Sequence, residues 1–297
     1  MTTPTTVRIG TRQSRLALAQ ARIASDALSR VLGPAELVPL TTHGDEISSR
    51  RPDAGWVESD GQFTREIERA LLEGRIDLAV HSYKDLPTAL VDGLAIGAVL
   101  ERGDARDCLV TVGDAGIDGL PFGARIGTSS PRRAAQLAER RPDLTSVPIR
   151  GNVETRLARL AAGDFDGLIL AAAGLDRLGI NVAHDARLPF DLMLPAPAQG
   201  ALAIQVRADD PVLREVLAKV EHRPTRIAVE AERGLLRRIG GGCLAPLGAL
   251  GEVAGDRLRL RAAFEHASGT LRRAEASGSA SRPAEVVARV AARIASQ

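Results

Sequence analysis

The chain has 297 residues, of which 44% are hydrophobic and 26% charged, and its formal net charge is +2. This composition is typical of soluble globular proteins, and the length predicts about two or three domains. The low net charge argues against bulk nucleic-acid binding. No secretory signal or membrane-length apolar run is found, so we expect a cytoplasmic protein with no membrane contact.

Strand and helix patterns alternate over the first two thirds of the chain, which predicts α/β layers with a largely parallel sheet. The predicted strands are 7–11, 36–42, 76–80, 94–100, 107–112, 144–149, 167–172 and 202–206. The predicted helices begin after Ser14, as the N-cap of the first, and follow near 64–73, 131–140, 152–162 and 211–220.

The last 70 residues have a different pattern. A helix at 225–238 leads to short strands near 244–251, 257–264 and 270–276, and then to a helix at 283–295. This order predicts a small α+β domain with an antiparallel sheet.

Three predicted strand ends carry arginine. Arg12 follows the first strand, Arg132 and Arg133 open a helix in GTSSPRR (127–133), and Arg150 and Arg156 flank the turn in RGNVETR (150–156). Ligands of open α/β sheets bind outside the carboxyl ends of strands, so these loops predict one anion site for carboxylate or phosphate. A well-capped helix with solvated arginines explains GTSSPRR equally well. With no P-loop and no G-x-G-x-x-G, a nucleotide is the weaker option.

Asp85, in VHSYKDLPT (80–88), places a carboxylate after another predicted strand. Either it pairs with Lys84 or an arginine, or it stabilises a cation that develops on the substrate. His81, just before it, is expected to have a structural role.

Cys243 lies in the glycine-rich stretch RIGGGCLAPLG (238–248), and Cys108 lies in an apolar run. We expect Cys108 to be buried as a small hydrophobe. The two cysteines lack metal-ligand spacing and the histidines are scattered, so we expect no metal site. From the residues alone, Cys243 remains a nucleophile, a covalent anchor or a bystander.

Seven motifs in order resemble the porphobilinogen deaminases over nearly the whole chain. They are TRQS (11–14), VHSYKDLPT (80–88), GTSSPRR (127–133), RGNVETRL (150–157), AAAGLDRLG (171–179), PAQGALAI (197–204) and GGGC (240–243). The resemblance implies two α/β domains like those of periplasmic binding proteins and a C-terminal α+β domain. The expected boundaries are 1–100 with 201–221, 101–200, and 222–297.

The resemblance also implies the chemistry. Members join four porphobilinogen molecules head to tail, releasing ammonia, into hydroxymethylbilane, a precursor of haem and other tetrapyrroles. The chain grows on a dipyrromethane cofactor that is held by a thioether, here to Cys243, while Asp85 stabilises the pyrrole cations. The implied cofactor contacts are Ser82, Lys84, Asp85, Thr128, Ser129, Arg132, Arg133, Arg150 and Gly151. The implied substrate contacts are Arg12, Ser14, Gln20, Arg150, Arg156, Arg177 and Gln199.

Further expectations follow from the same resemblance. We expect a monomer that binds porphobilinogen and makes a transient contact with the next enzyme of the pathway. The segment 54–63 departs from the family, because a lysine-rich loop is replaced by one with Glu58, Asp60 and no lysine. A non-catalytic two-domain binding protein for a small anion is the main alternative. An RNA-binding protein is a weaker one, because five Phe, one Trp and one Tyr leave little surface for base stacking.

Overall fold

A computed structural model of the chain describes residues 6–42, 64–113, 115–183, 186–240, 242 and 245–295. Two compact units are formed. The first comprises Met1–Arg102 and Ala201–Arg226, and the second comprises Gly103–Gly200 and Ile227–Gln297.

The strands are numbered in chain order. They are β1 (Val7–Arg12), β2 (Ala35–Leu40), β3 (Leu78–Ser82), β4 (Leu94–Val99), β5 (Asp107–Thr111), β6 (Arg125–Gly127), β7 (Thr145–Val147), β8 (Gly167–Ala171), β9 (Leu202–Arg207), β10 (Leu247–Ala254), β11 (Arg257–Glu265) and β12 (Leu271–Ser279). The helices are α1 (Arg15–Leu32), α2 (Arg65–Leu72), α3 (Pro131–Arg140), α4 (Val153–Ala161), α5 (Ala172–Arg177), α6 (Pro211–Leu217), α7 (Arg223–Ile239) and α8 (Pro283–Ala295).

The first unit is built on one mixed sheet with the strand order β2-β1-β3-β9-β4. Strand β1 is parallel to β2 and β3, whereas β9 is antiparallel to both β3 and β4. Helix α1 packs its buried face on this sheet, where Ala21 and Leu28 meet Ile9 and Ile204 in the core. The apolar spacing on α1 is that of an amphipathic helix against a sheet.

The second unit contains two sheets. One has the order β5-β8-β6-β7, with β8 parallel to β6 but antiparallel to β5. The other is the antiparallel sheet β10-β11-β12, which packs on α8 around Leu260 and Val290. The predicted α+β pattern of the C-terminal part is confirmed.

The expectation of a largely parallel sheet is wrong for the ladders that β9 makes with β3 and β4 and that β5 makes with β8. Cys108 on β5 is fully buried, as predicted, and burial raises the pKa of its thiol to about 11. Among the described residues, none of the helices has the length and apolar character needed to cross a membrane.

Candidate functional site

In the first unit, the site residues lie at the carboxyl ends of β1 and β3. Arg12 is the last residue of β1, and the Ser14 hydroxyl caps α1 by accepting a hydrogen bond of 3.3 Å from the Ala17 N–H. One turn later on α1, the buried Gln20 donates from Nε2 to the Ser82 hydroxyl, 2.8 Å away. Gln20 therefore holds the residue at which β3 ends.

Asp85 lies on a short 3-10 turn, Tyr83–Asp85, that follows β3 directly. The turn is fixed on either side of the carboxylate. Tyr83 is buried and its N–H donates to the Ala201 carbonyl at 3.0 Å, and Leu86 is also buried. Asp85 itself is exposed and Lys84 is half-buried. The fold thus presents one carboxylate to solvent on a turn whose neighbours are held in the core.

A buried polar chain lies behind this turn. His81 Nε2 is 3.1 Å from Gln205 Oε1, Gln205 Nε2 donates to Glu68 Oε1 at 3.1 Å, and the Thr64 hydroxyl donates to Glu68 Oε2 at 3.2 Å. Burial lowers the pKa of His81 to about 4; the Gln205 hydrogen bond opposes the shift and the Arg12 charge adds to it. His81 is thus neutral near pH 7, which supports a structural role.

In the second unit, both arginines of GTSSPRR bond to one buried carboxylate, Asp107. Arg132 Nη1 lies 2.7 Å from Asp107 Oδ2, and Arg133 Nη2 lies 2.7 Å from Asp107 Oδ1. Asp107 is 0% exposed, and the two arginines are 4% and 7% exposed. Burial alone would raise the pKa of Asp107, but the charges and hydrogen bonds of both guanidinium groups outweigh it and hold that pKa well below the usual range.

Gln199 completes this buried ion cluster. Its Nε2 donates to Asp107 Oδ1 at 3.0 Å and to the Ala105 carbonyl at 2.8 Å. The cluster of Asp107, Arg132, Arg133 and Gln199 gives the three predicted ligands a structural role inside the unit, and their contact with substrate or cofactor stays a prediction. Asp107 was missed in the sequence analysis. The signal that could have found it is an acidic residue at the start of the apolar strand DCLVT.

Ser129 fastens the segment before α3 to the loop that carries Arg150, and Thr128 fixes the turn that leads into α3. The Ser129 hydroxyl donates to the Ile149 carbonyl at 2.7 Å and accepts from the Ile149 N–H at 2.9 Å. The Thr128 hydroxyl accepts a bond of 3.2 Å from the Ser130 N–H, just before α3 begins. The Ser129 hydroxyl therefore holds the two predicted anion-binding loops together, whereas the Thr128 hydroxyl bonds within its own loop.

The second of those loops turns at Gly151. Its φ of +104° is in the region that favours glycine. Its carbonyl accepts from Arg156 Nε at 2.8 Å, and Asn152 caps α4 by accepting from the Thr155 N–H at 2.8 Å. Arg150 is half-buried and follows β7 by three residues, because that strand ends at Val147 and not at residue 149 as predicted.

Arg177 is the last residue of α5, and its Nη2 donates to the Gly200 carbonyl at 2.5 Å. Burial lowers the pKa of its guanidinium to about 10, partly offset by the charge of Asp176. The group is still charged at neutral pH, so it is a desolvated cation that an anion would stabilise. Cys243 and the segment 54–63 lie outside the described residues.

Two family models match the chain. Residues 7–215 match the model described as porphobilinogen deaminase, dipyromethane cofactor binding domain, and residues 226–296 match that of the porphobilinogen deaminase C-terminal domain. The chain belongs to the porphobilinogen deaminase family. The resemblance carried by the seven motifs is confirmed, and with it the class of enzyme and the dipyrromethane cofactor.

Similar proteins include porphobilinogen deaminases from several bacteria. That of Desulforudis audaxviator is 49% identical over 93% of this chain and 90% of the relative. That of Roseiflexus sp. is 46% identical over 94% of this chain and 92% of the relative. That of Xanthomonas oryzae is 46% identical over 97% and 95%. The alternative of a non-catalytic binding protein gains no support from these relatives.

Two solved structures show more distant likenesses. The periplasmic VFT2 domain of Bordetella pertussis BvgS is 14% identical with a TM-score of 0.43, covering 72% of this chain and 86% of that one. The substrate-binding protein AbpA of Streptococcus pneumoniae is also 14% identical, with a TM-score of 0.38, covering 79% and 90%.

Proposed function

We propose that this chain condenses four porphobilinogen molecules head to tail, with release of ammonia, on a dipyrromethane attached to Cys243. The observation that carries the proposal is the match of both family models, which together span 7–215 and 226–296. The bound dipyrromethane would supply the pyrrole carbon at which the chain is extended and a tether for the growing product.

The donor set of the second unit fits such a group. A dipyrromethane made from porphobilinogen carries acetate and propionate groups, and cations with planar N–H donors bind carboxylates well. Arg150, Arg156 and Arg177 are half-buried arginines on or next to loops of this unit, and the desolvated Arg177 would be stabilised by a carboxylate. These three side chains are assigned to the acidic groups of cofactor or substrate.

The role of Arg132 and Arg133 is shared between structure and binding. Their charges sum to +2 against the single charge of Asp107, so the buried cluster keeps a net positive charge. A cation held in a medium of low dielectric attracts an anion more strongly than one in water. Thr128 and Ser129 are assigned to cofactor binding, and the Ser129 hydroxyl also holds the two loops together.

Asp85 is assigned the electrostatic role in the reaction. Loss of ammonia and attack by the next ring both place positive charge on pyrrole atoms, which a carboxylate stabilises. At an effective dielectric near 20, opposite charges ~4 Å apart interact by about 4 kcal/mol before desolvation. Because Tyr83 and Leu86 are held in the core, little reorganisation is needed to keep Asp85 in place. In the first unit, Arg12, Lys84, Ser82 and Gln20 surround the same strand ends and are assigned to cofactor and substrate binding.

The finer organisation is also part of the proposal. We assign three domains, 1–100 with 201–221, 101–200 and 222–297. The separate hydrophobic core of the β10-β11-β12 sheet and the break between the two family models support this division. We further propose a cytoplasmic monomer that binds no nucleic acid or metal and meets the next pathway enzyme transiently.

Intact-mass spectrometry of the denatured protein tests the proposal. The expected result is an added mass of two linked pyrrole units on the peptide that contains Cys243, and its absence in Cys243→Ser. Cys108→Ser, the control, should keep the adduct. An active enzyme of unmodified mass, or an adduct on Cys108, would refute the assignment.

Asp85→Asn provides the second test. It keeps the size of the side chain and removes the charge, so turnover should fall by at least about 100-fold, since about 4 kcal/mol of attraction is at stake. Asp92→Asn, which removes a carboxylate charge from an exposed loop of the same unit, is the control. Equal rates for the two variants would remove Asp85 from the mechanism.

A further inference from the structure

The second unit contains a buried glutamate that is not among the predicted site residues. Glu232, on α7, is 0% exposed. Its Oε2 accepts a hydrogen bond of 2.6 Å from the Ala198 N–H, and its Oε1 accepts one of 2.7 Å from the Gly251 N–H on β10. Because its two oxygens accept from different parts of the chain, this one side chain fixes two backbone segments at once.

The first of these segments, 198–200, is held in a demanding conformation. Ala198 has a φ of +63°, in the left-handed region that side chains other than glycine rarely adopt. Gly200 has a φ of +87°, and a Cβ there would lie 2.7 Å from the Gly103 carbonyl oxygen. A backbone conformation of this kind persists only where its surroundings impose it, and the hydrogen bond that the Ala198 N–H donates to Glu232 is such a constraint.

Two residues of this segment contact the ion pairs or cations of the unit. Gln199 donates to Asp107, the carboxylate that holds Arg132 and Arg133, and the Gly200 carbonyl accepts from Arg177. A shift of segment 198–200 would therefore disturb two contacts at once, the bond of Gln199 to the carboxylate shared by Arg132 and Arg133 and the carbonyl that accepts from Arg177.

Glu232 connects segment 198–200 to its own helix, α7. This helix ends at Ile239, four positions before Cys243 in the sequence. Its packing against β10 is tight, because a Cβ on Gly251 would lie 2.7 Å from the Ala228 carbonyl oxygen. Glu232 thus joins the helix that leads to the attachment cysteine with the segment that supports the arginines.

We propose that Glu232 is a positioning residue for the cofactor, fixing segment 198–200 and its arginine partners relative to α7. This inference rests on the proposed function, since it concerns the same cofactor. Glu232 is assigned no contact with a reacting atom. Its effect is to hold segment 198–200, with its contacts to Asp107 and Arg177, in place against α7.

Glu232→Gln tests the proposal, because an amide keeps the size but presents one N–H group towards a backbone N–H. Full-length wild type and variant are prepared without cofactor, in cells that make no porphobilinogen, and then loaded with porphobilinogen. Loading and the rise in Tm on loading are measured. We expect at least about tenfold slower loading and a Tm rise less than half that of wild type.

Asp77→Asn is the matched control. Asp77 is also a buried carboxylate that accepts from a backbone N–H, that of Arg8 at 2.9 Å, but it lies in the first unit, immediately before β3. A purely structural role would lower the Tm of cofactor-free and loaded protein alike, as expected for Asp77→Asn. The same result for Glu232→Gln would overturn the proposal.

Hydrogen exchange on wild type keeps the proposal testable if Glu232→Gln does not fold. The Ala198 amide should exchange at least about 100-fold more slowly than an unstructured amide, and exchange at the unstructured rate would overturn the proposal. Wild type that gains no adduct would instead refute the proposed function. Wild type that gains the adduct, beside a variant with an unchanged Tm rise, would refute only the role of Glu232.

Discussion

The buried ion cluster around Asp107 leads to a sharp prediction for Asp107→Asn. The substitution keeps the shape of the side chain but removes the one carboxylate shared by Arg132 and Arg133. It also turns an N–H group of the new amide towards donors, since Arg132, Arg133 and Gln199 all donate to the present oxygens.

The expected loss of stability is large, because Asp107 is 0% exposed and both arginines are almost as deeply buried. Removing one partner from a buried ion pair costs about 3–5 kcal/mol, since the other charge is left uncompensated. For domains of 150–250 residues, each kcal/mol shifts the Tm by roughly 2–4 °C, so the Tm should fall by about 6–20 °C.

Calorimetry and urea titration of cofactor-free protein measure this loss, with Asp104→Asn as the control. Asp104 also accepts from two arginines, Arg106 and Arg187 at 2.7 and 2.6 Å, but its side chain is 19% exposed and its partners reach solvent. An ion pair whose members reach solvent in this way contributes about 0–1 kcal/mol. Similar Tm values for the two variants would refute the reasoning.

The pH dependence of the same variant is a second measurement. The folded-state pKa of Asp107 lies well below its usual value of 3.8, so its ionised form stabilises the fold fully above that value. This contribution is lost as the pH falls from 3.8 towards the folded-state pKa. The difference in free energy of unfolding between wild type and Asp107→Asn should therefore be constant at neutral pH and become smaller only below about pH 4.

Two further predictions concern His81 and Gly200. In the folded protein, the His81 ring should stay neutral until the pH falls to about 4. Between pH 6.5 and 4 only the unfolded chain takes up this proton, so the free energy of unfolding decreases as the pH is lowered through that window. An NMR titration of His81 with a midpoint near 6.5 would contradict this. Gly200→Ala should lower the free energy of unfolding by about 1–3 kcal/mol more than Gly179→Ala, because both have positive φ but only Gly200 lacks space for a Cβ. Equal losses of free energy of unfolding in denaturant titration would show that the Gly103 carbonyl moves to make room for the added Cβ.

The sequence predicts those features of the fold that depend on local pattern. The 3.6-residue periodicity places α1 and α8 correctly, and Pro131 marks the start of α3. The antiparallel direction of β9 could not be predicted, because strand direction depends on how the chain returns to the first unit and not on the residues of the strand.

The candidate site shows the same division. An arginine in a strand-end loop can be recognised from the sequence, and so can the Asp85 turn. Whether that arginine faces a ligand or an internal carboxylate depends on a contact between distant residues. Asp107 and Arg132 are 25 positions apart, and Glu232 and Ala198 are 34 apart, and no local pattern connects either pair.

The position of β9 in the first sheet has a consequence for biosynthesis. This strand lies between β3 and β4, yet it is synthesised about a hundred residues after β4, a delay of roughly 5–20 s at ~5–20 residues per second. During that interval β3 and β4 each have an unpaired edge, and such edges invite pairing with other chains. The first unit is thus the first to be synthesised but cannot close its sheet until most of the second has been made. We expect nascent chains stopped before residue 207 to depend on chaperones, while chains that reach α6 do not.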